Sequence, residues 1–251
     1  MDCRAGKFMA SLLLLCLCLT LPSVIAASEG LELYLPFDGN ADDASGNGNN
    51  GIINGSASWV DGKHGQSMQF DGATYVEVPD YPNSGFDGVP GLTVEVWVKQ
   101  STHHDNGIVV KLTEEGVFWP CSYNLETWSD TVAYFGVNED TGEWIVGPYP
   151  LDEWYHLAGV FDNGEERLYI NGEDMGFIPD PSSVVPDSDL PVYIGCVDPN
   201  SYFFAGELDD LAIYSRALTQ GEIQRDMGSI EPAAMESTGK ATSTWAAIKA
   251  Q

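Results

Sequence analysis

The chain has 251 residues and a formal net charge of −28 at pH 7, from 38 Asp and Glu against 10 Lys and Arg. That balance repels nucleic acid and anionic membranes, so neither is an expected partner, and it attracts cations. With both ends set aside, roughly 200 residues remain, enough for one domain with a sizeable core.

Residues 1–27 read as a secretory signal peptide. Arg4 and Lys7 form its basic start, Leu12 to Leu21 its apolar stretch, and Val24-Ile25-Ala26 a cleavage site. The apolar stretch is shorter than the ~20 residues that span a bilayer, and no later segment is a candidate span. The expected location is therefore secreted, extracellular or at the cell surface. Cys3, Cys16 and Cys18 leave with the signal. Cys121 and Cys196 remain, and an even count in an exported protein points to a Cys121–Cys196 disulfide. Two separate buried thiols are the other reading.

Strand patterns fill the region from 31 to 214. The expected strands begin with Leu31–Phe37, Ser67–Phe70 and Thr74–Val78. Leu92–Lys99 alternates, with Leu92, Val94, Val96 and Val98 on one face and Thr93, Glu95 and Trp97 on the other. Ile108–Leu112, Ser122–Leu125 and Val132–Val137 follow. Asn163-Gly164 and Asn171-Gly172 suit the positive φ of tight hairpin turns. They predict a meander of Trp154–Phe161, Arg167–Ile170 and the segment after Gly172. Pro191–Gly195 and Gly206–Tyr214 complete the set. About a dozen strands separated by turn residues indicate an all-β fold, a sandwich or jelly roll. Thr219 and Glu222 form a capping box, with Leu218 and Ile223 as its hydrophobic staple, and predict one short helix over Gln220–Met227. Residues 229–251 are rich in Ala, Ser and Thr and read as a flexible tail, in which Trp245 and Ile248 could make one helical turn against a partner.

Two acidic motifs stand at opposite ends of the folded part. The first runs from Leu35-Pro36-Phe37-Asp38-Gly39-Asn40 through Asp43-Ala44-Ser45-Gly46-Asn47-Gly48. The second is Gly206-Glu207-Leu208-Asp209-Asp210-Leu211-Ala212-Ile213-Tyr214. They meet if the first and last strands are neighbours. Together with Met68-Gln69-Phe70-Asp71-Gly72, Tyr75–Pro79, Trp154–Ala158, Leu168-Tyr169-Ile170-Asn171-Gly172 and Tyr193-Ile194-Gly195, these motifs resemble the LamG-like jelly-roll domains of the concanavalin A-like lectin/glucanase superfamily. The resemblance covers roughly residues 31–227 and sets the domain at 28–228. It implies a two-sheet antiparallel jelly-roll sandwich with one short C-terminal helix, and a binding or adhesion role.

Related jelly rolls often carry a structural Ca²⁺ near their termini, so the resemblance supports Ca²⁺ as a cofactor. Ca²⁺ takes about six to eight oxygen ligands. Asp38, Asn40, Asp43, Asn47, Asp209 and Asp210 are the candidate donors, with turn-forming Asx residues as the alternative. On a regular strand, neighbours point to opposite faces, so only one of Asp209 and Asp210 is expected to point into the sandwich. Glu207-Leu208-Asp209 begins a glucanase-like catalytic pattern, but Leu211 and Ala212 stand where its second Glu should fall, so the chain reads as non-catalytic. His156 reads as a packed core histidine. Candidate sugar-binding aromatics are Trp119, Tyr123, Trp128, Trp144 and Tyr202. The expected function is a secreted binding module for glycans or for surface or matrix proteins. A structural or adhesive component and a divergent glycoside hydrolase are the alternatives. The sequence leaves the oligomeric state open.

Overall fold

The computed structural model describes residues 29–81, 84–102, 105–128, 132–138 and 145–230. The expected signal peptide, His103, His104, Trp144, most of the expected tail and the side chain of Trp119 lie outside what it describes.

Fifteen strands and one helix make up the described residues. The strands are β1 (Leu31–Leu35), β2 (Ile52–Asn54), β3 (Ser58–Asp61), β4 (Gln66–Asp71), β5 (Tyr75–Val78), β6 (Gly91–Gln100), β7 (Asn106–Glu114) and β8 (Val117–Trp128). They continue with β9 (Val132–Val137), β10 (Ile145–Pro148), β11 (Tyr155–Asp162), β12 (Glu165–Ile170), β13 (Glu173–Pro179), β14 (Val192–Ile194) and β15 (Ala205–Tyr214), and the helix α1 is Gln220–Asp226. One sheet has the order β13-β12-β11-β6-β15-β4-β3, with β1 also paired to β15; the other has the order β10-β9-β8-β7-β14-β5-β2. Every strand pair between them is antiparallel. This is the expected jelly-roll sandwich.

The alternation on β6 explains the layering. Leu92, Val94, Val96 and Val98 enter the core between the sheets together with Leu157, Phe135, Leu208 and Ile213. Thr93, Glu95 and Trp97 face the other way, onto the outer surface of the larger sheet. The sheets approach so closely at Gly159 that a Cβ there would lie 2.0 Å from the Phe135 ring. The meander forms as expected: Asn163 and Asn171 have φ of 47° and 51°, each followed by a glycine at positive φ. Thr219 and Glu222 complete the capping box of α1. Leu218 and Ile223 pack with Leu31, Ala158, Val160 and Tyr214 in a second apolar cluster on the outer face.

Cys121 and Cys196 do not form the expected disulfide; both are buried thiols. Cys121 on β8 pairs with Leu112 of β7. Cys196 follows β14, beside Gly107 at the other end of β7. One strand therefore separates them across the sheet, and five residues of β7, about 16 Å, separate them along it. A disulfide needs Cα atoms within about 7 Å.

Candidate functional site

The first and last strands are neighbours, with Leu35 opposite Leu211 and Tyr34 opposite Ala212. On its other edge β15 pairs with β6 along its length, but the β1 edge is shared: β4 takes residues 205–208 and β1 takes 211–214. At the changeover a bulge interrupts the ladder, and Asp210 adopts a φ of 46°. The extra residue breaks the alternation. Leu208 and Leu211 both point into the core, and Asp209 and Asp210 both turn to the outer side, contrary to the expectation for a regular strand. Both carboxylates reach His64 in the β3–β4 turn. Asp209 Oδ2 accepts the His64 backbone N–H at 2.9 Å, and Asp210 Oδ2 lies 2.7 Å from His64 Nδ1. Tyr34 donates its hydroxyl to Asp210 Oδ1 at 2.6 Å. Burial pushes the Asp209 carboxyl up to about 7, helped by Asp210 and opposed by the His64 N–H. Burial and the bond to Asp210 also raise the Tyr34 phenol.

The residues expected to hold Ca²⁺ fall into two groups: Asp38, Asp209 and Asp210 meet the β3–β4 turn, and Asn40, Asp43 and Asn47 organise the β1–β2 connection. Asp43 accepts five hydrogen bonds: from the N–H groups of Tyr34 and Ser45 on Oδ1, and from Ser45 Oγ and the N–H groups of Gly48 and Asn49 on Oδ2. Asn40 accepts the Asp42 N–H, and Asn47 donates to the carbonyls of Leu31 and Glu32. Asp38 accepts the Gln66 N–H at 2.7 Å. These side chains organise the β1–β2 connection and fasten it to β1 and to the β3–β4 turn. Among the described residues no three His, Cys, Asp or Glu side chains are placed to hold a metal ion.

Of the expected sugar-binding aromatics, Tyr123, Trp128 and Tyr202 have described side chains. Tyr123 is fully buried in the core and offers no ring face to a sugar. Trp128 is half-buried and packs edge-on against Tyr134 at 5.3 Å. Tyr202 is exposed, at a φ of 52°. His156 is buried, as expected, and Glu207 pairs with Lys99 at 3.1 Å.

A cavity of about 630 Å³ opens between the β5–β6 connection and the segment leading into β14. Asp80, Tyr81, Ser84, Asp87, Asp187 and Asp189 line it. Lys111 of β7 is completely buried beside it. Its Nζ lies 3.3 Å from Asp80 Oδ2 and 3.2 Å from Asp87 Oδ2 and donates to the Leu190 carbonyl. Three oxygens thus hold one ammonium, which offsets the cost of burying it. Burial nevertheless pushes Asp87 up to about 6, against the pull of Lys111. Asp187 and Asp189 are exposed, and Tyr81 at 54% exposure is among the most exposed large apolar side chains of the described residues. Such a cavity offers carboxylates to accept from hydroxyl groups and a phenol ring to stack on an apolar sugar face. The sequence signal was weak: the acids come from two irregular connections about a hundred residues apart in the chain.

Among the described residues no helix is long and apolar enough to cross a membrane. No curated protein matches the sequence. Among solved structures, the chain is similar to domain 4 of AbnA, a GH43 extracellular arabinanase from Geobacillus stearothermophilus in complex with arabinotriose. The identity is 25% and the TM-score 0.60, over 78% of this chain and 97% of that domain. The binding domain of Paraclostridial Mosquitocidal Protein 1 gives 17% identity and a TM-score of 0.64 over 81% of this chain. Botulinum neurotoxin type C, in a structure whose subject is cell entry through two ganglioside molecules, gives 15% and 0.63 over 83%. The chain spans 53% of each of these two toxin structures, and at such identities they show a shared fold alone. A laminin G-type family model matches residues 70–224. The chain belongs to the concanavalin A-like lectin/glucanases superfamily.

Proposed function

We propose that this protein is an exported, non-catalytic carbohydrate-binding module. The observation that carries the reading is the open cavity with Tyr81 at its rim and Asp187 and Asp189 exposed in its wall, in a fold shared with a domain solved with arabinotriose. Residues 1–27 support export. The non-catalytic reading rests on β15: Glu207 is paired with Lys99, and Leu211 and Ala212 are buried where a second carboxylate would be needed. The reading does not depend on calcium, because none of the expected Ca²⁺ donors lines this cavity.

Calorimetric titration of the exported chain with arabinotriose and a panel of soluble neutral polysaccharides tests it. Saturable binding is expected, weakened about 5- to 10-fold by Tyr81→Ala, as loss of an aromatic stacking partner implies. Failure of every glycan to bind would sink the reading. Release of reducing ends during the titration would overturn its non-catalytic part.

A further inference from the structure

One row of residues across the outer face of the larger sheet is left unsatisfied. His156 on β11 stands opposite Trp97 on β6, and Trp97 stands opposite Asp209 on β15. Ser67 on β4, one step from the Met68–Leu208 pair, continues the row beside Asp209. All four are buried, Trp97 being the most exposed at 4%. Each carries a side-chain polar atom with no hydrogen-bond partner among the described residues: His156 Nδ1, Trp97 Nε1, Asp209 Oδ1 and Ser67 Oγ. Glu95, two residues back on the same face of β6, has no hydrogen bond to either carboxylate oxygen among the described residues, and its Oε2 lies 3.8 Å from His156 Nε2. Buried polar atoms in folded proteins are paired in the great majority of cases. A run of unpaired ones along a single row over four strands is therefore unusual.

Over Trp97 the cover comes from the β3–β4 turn. The exposed Lys63 side chain places Nζ 4.0 Å from the centroid of the Trp97 ring, and His64 stands edge-on to that ring at 6.1 Å. The turn that carries them is fastened through its backbone and His64. Asp209 accepts the His64 N–H, Asp210 meets the His64 ring, and Asp38 accepts the Gln66 N–H. The Lys63 ammonium is held over the indole by a cation–π contact, which is weak at an exposed site. The neighbouring row repeats the arrangement in more open form. Trp154, just before β11, lies under the Lys99 ammonium at 5.9 Å, and Lys99 pairs with Glu207. Gln69 is exposed on the same face of β4.

We propose that the Trp97–Trp154 face is a second saccharide-binding surface, on which neutral sugar rings stack on the two indoles once Lys63 swings aside. A sugar hydroxyl both donates and accepts, which suits a row combining an indole N–H, a carboxyl, a hydroxyl and an imidazole. A metal ion would find no use for the indole N–H, and an anionic ligand would meet Asp209, Asp210 and Glu207. The proposal rests on the carbohydrate-binding reading but places a site apart from the Tyr81 cavity.

The test is a titration of the full exported chain with arabinotriose and with cellohexaose, followed by ¹H–¹⁵N spectra of the tryptophan indoles and by calorimetry. Two indole signals, assigned with Trp97→Phe and Trp154→Phe, are expected to move saturably in the wild type and in Tyr81→Ala alike. Lys63→Ala, at an exposed position, is expected to tighten binding about 2- to 5-fold by freeing the Trp97 face. Binding that leaves both indole signals still and vanishes in Tyr81→Ala would overturn this second site and leave the carbohydrate reading standing. Affinity unchanged or weakened in Lys63→Ala would overturn the role of Lys63 as a displaceable cover. An absence of binding by either probe, in a chain that also binds none of the polysaccharides, overturns both readings together.

Discussion

Asp43 and Asp209 belong to the two acidic motifs that frame the domain, and their surroundings are opposite. Five donors converge on Asp43, which lies only partly buried in a glycine-rich connection. Asp209 is completely buried; its Oδ2 is held by the backbone at the β3–β4 turn, and its Oδ1 has no partner among the described residues. A carboxylate enclosed by N–H and O–H groups is a structural keystone for its loop. A carboxylate at a strand bulge, short of donors, is held at a cost to stability. Residue type alone does not separate these roles; the supply of donors does.

The largest expected effect breaks the structural side of this comparison. Asp43→Ala removes the acceptor of five hydrogen bonds, so several backbone N–H groups lose their partner at once. With charge-assisted bonds worth about 1.5–3 kcal/mol each and not additive, a loss of at least about 3 kcal/mol is expected in urea unfolding. A loss under about 1 kcal/mol would show that the loop re-forms its bonds elsewhere.

The second effect concerns Asp209 and depends on pH. Its folded value of about 7 lies above the ~4 of an unfolded aspartate. The folded chain therefore keeps a proton that the unfolded chain releases between those values, and this contribution to stability declines as pH rises from 4 to 7. Asp209→Asn keeps an oxygen for the His64 N–H and cannot ionise. It is expected to stabilise the protein at pH 8 by on the order of 2 kcal/mol and to give no gain near pH 4. Parallel wild-type and mutant curves across that range would refute the assignment. His156 works in the other direction: burial lowers its imidazole to about 3, so its contribution is lost as pH falls below about 6.5. Only the difference between mutant and wild type isolates Asp209.

The smallest expected effect is that of chelation. Because Asn40, Asp43, Asp210 and Asp38 Oδ1 already meet protein groups, EDTA or added Ca²⁺ is expected to move the melting temperature by less than about 1 °C. A larger Ca²⁺-dependent rise, abolished by Asp38→Ala, would show that the donors rearrange around a metal and would erase the contrast drawn above.

Much of the fold was legible from local pattern. The alternation of Leu92–Val98 marks its buried face, the two Asn-Gly pairs mark the meander, and Thr219 with Glu222 marks α1. The short strands β2, β3 and β10 were missed: each has three or four residues, too few for a period to show. The candidate site was less legible. Tyr123 has the composition of a sugar-binding aromatic, yet register shifts where β8 meets β7 accompany its placement in the core beside Cys121 on the other face. The Asp80–Asp87–Lys111 cluster joins two connections and a strand that share no motif.

The sequence by itself determined the strand-and-turn grammar and the capped helix, because these rest on side-chain period and turn chemistry. Only the tertiary structure decided that Cys121 and Cys196 sit at opposite ends of β7. It alone turned Asp209 and Asp210 to one side, and it alone aligned His156, Trp97, Asp209 and Ser67 in one row. These outcomes depend on strand order, register and a bulge where β15 changes partner. They are set by packing between segments far apart in the chain, to which no local pattern of residues is sensitive.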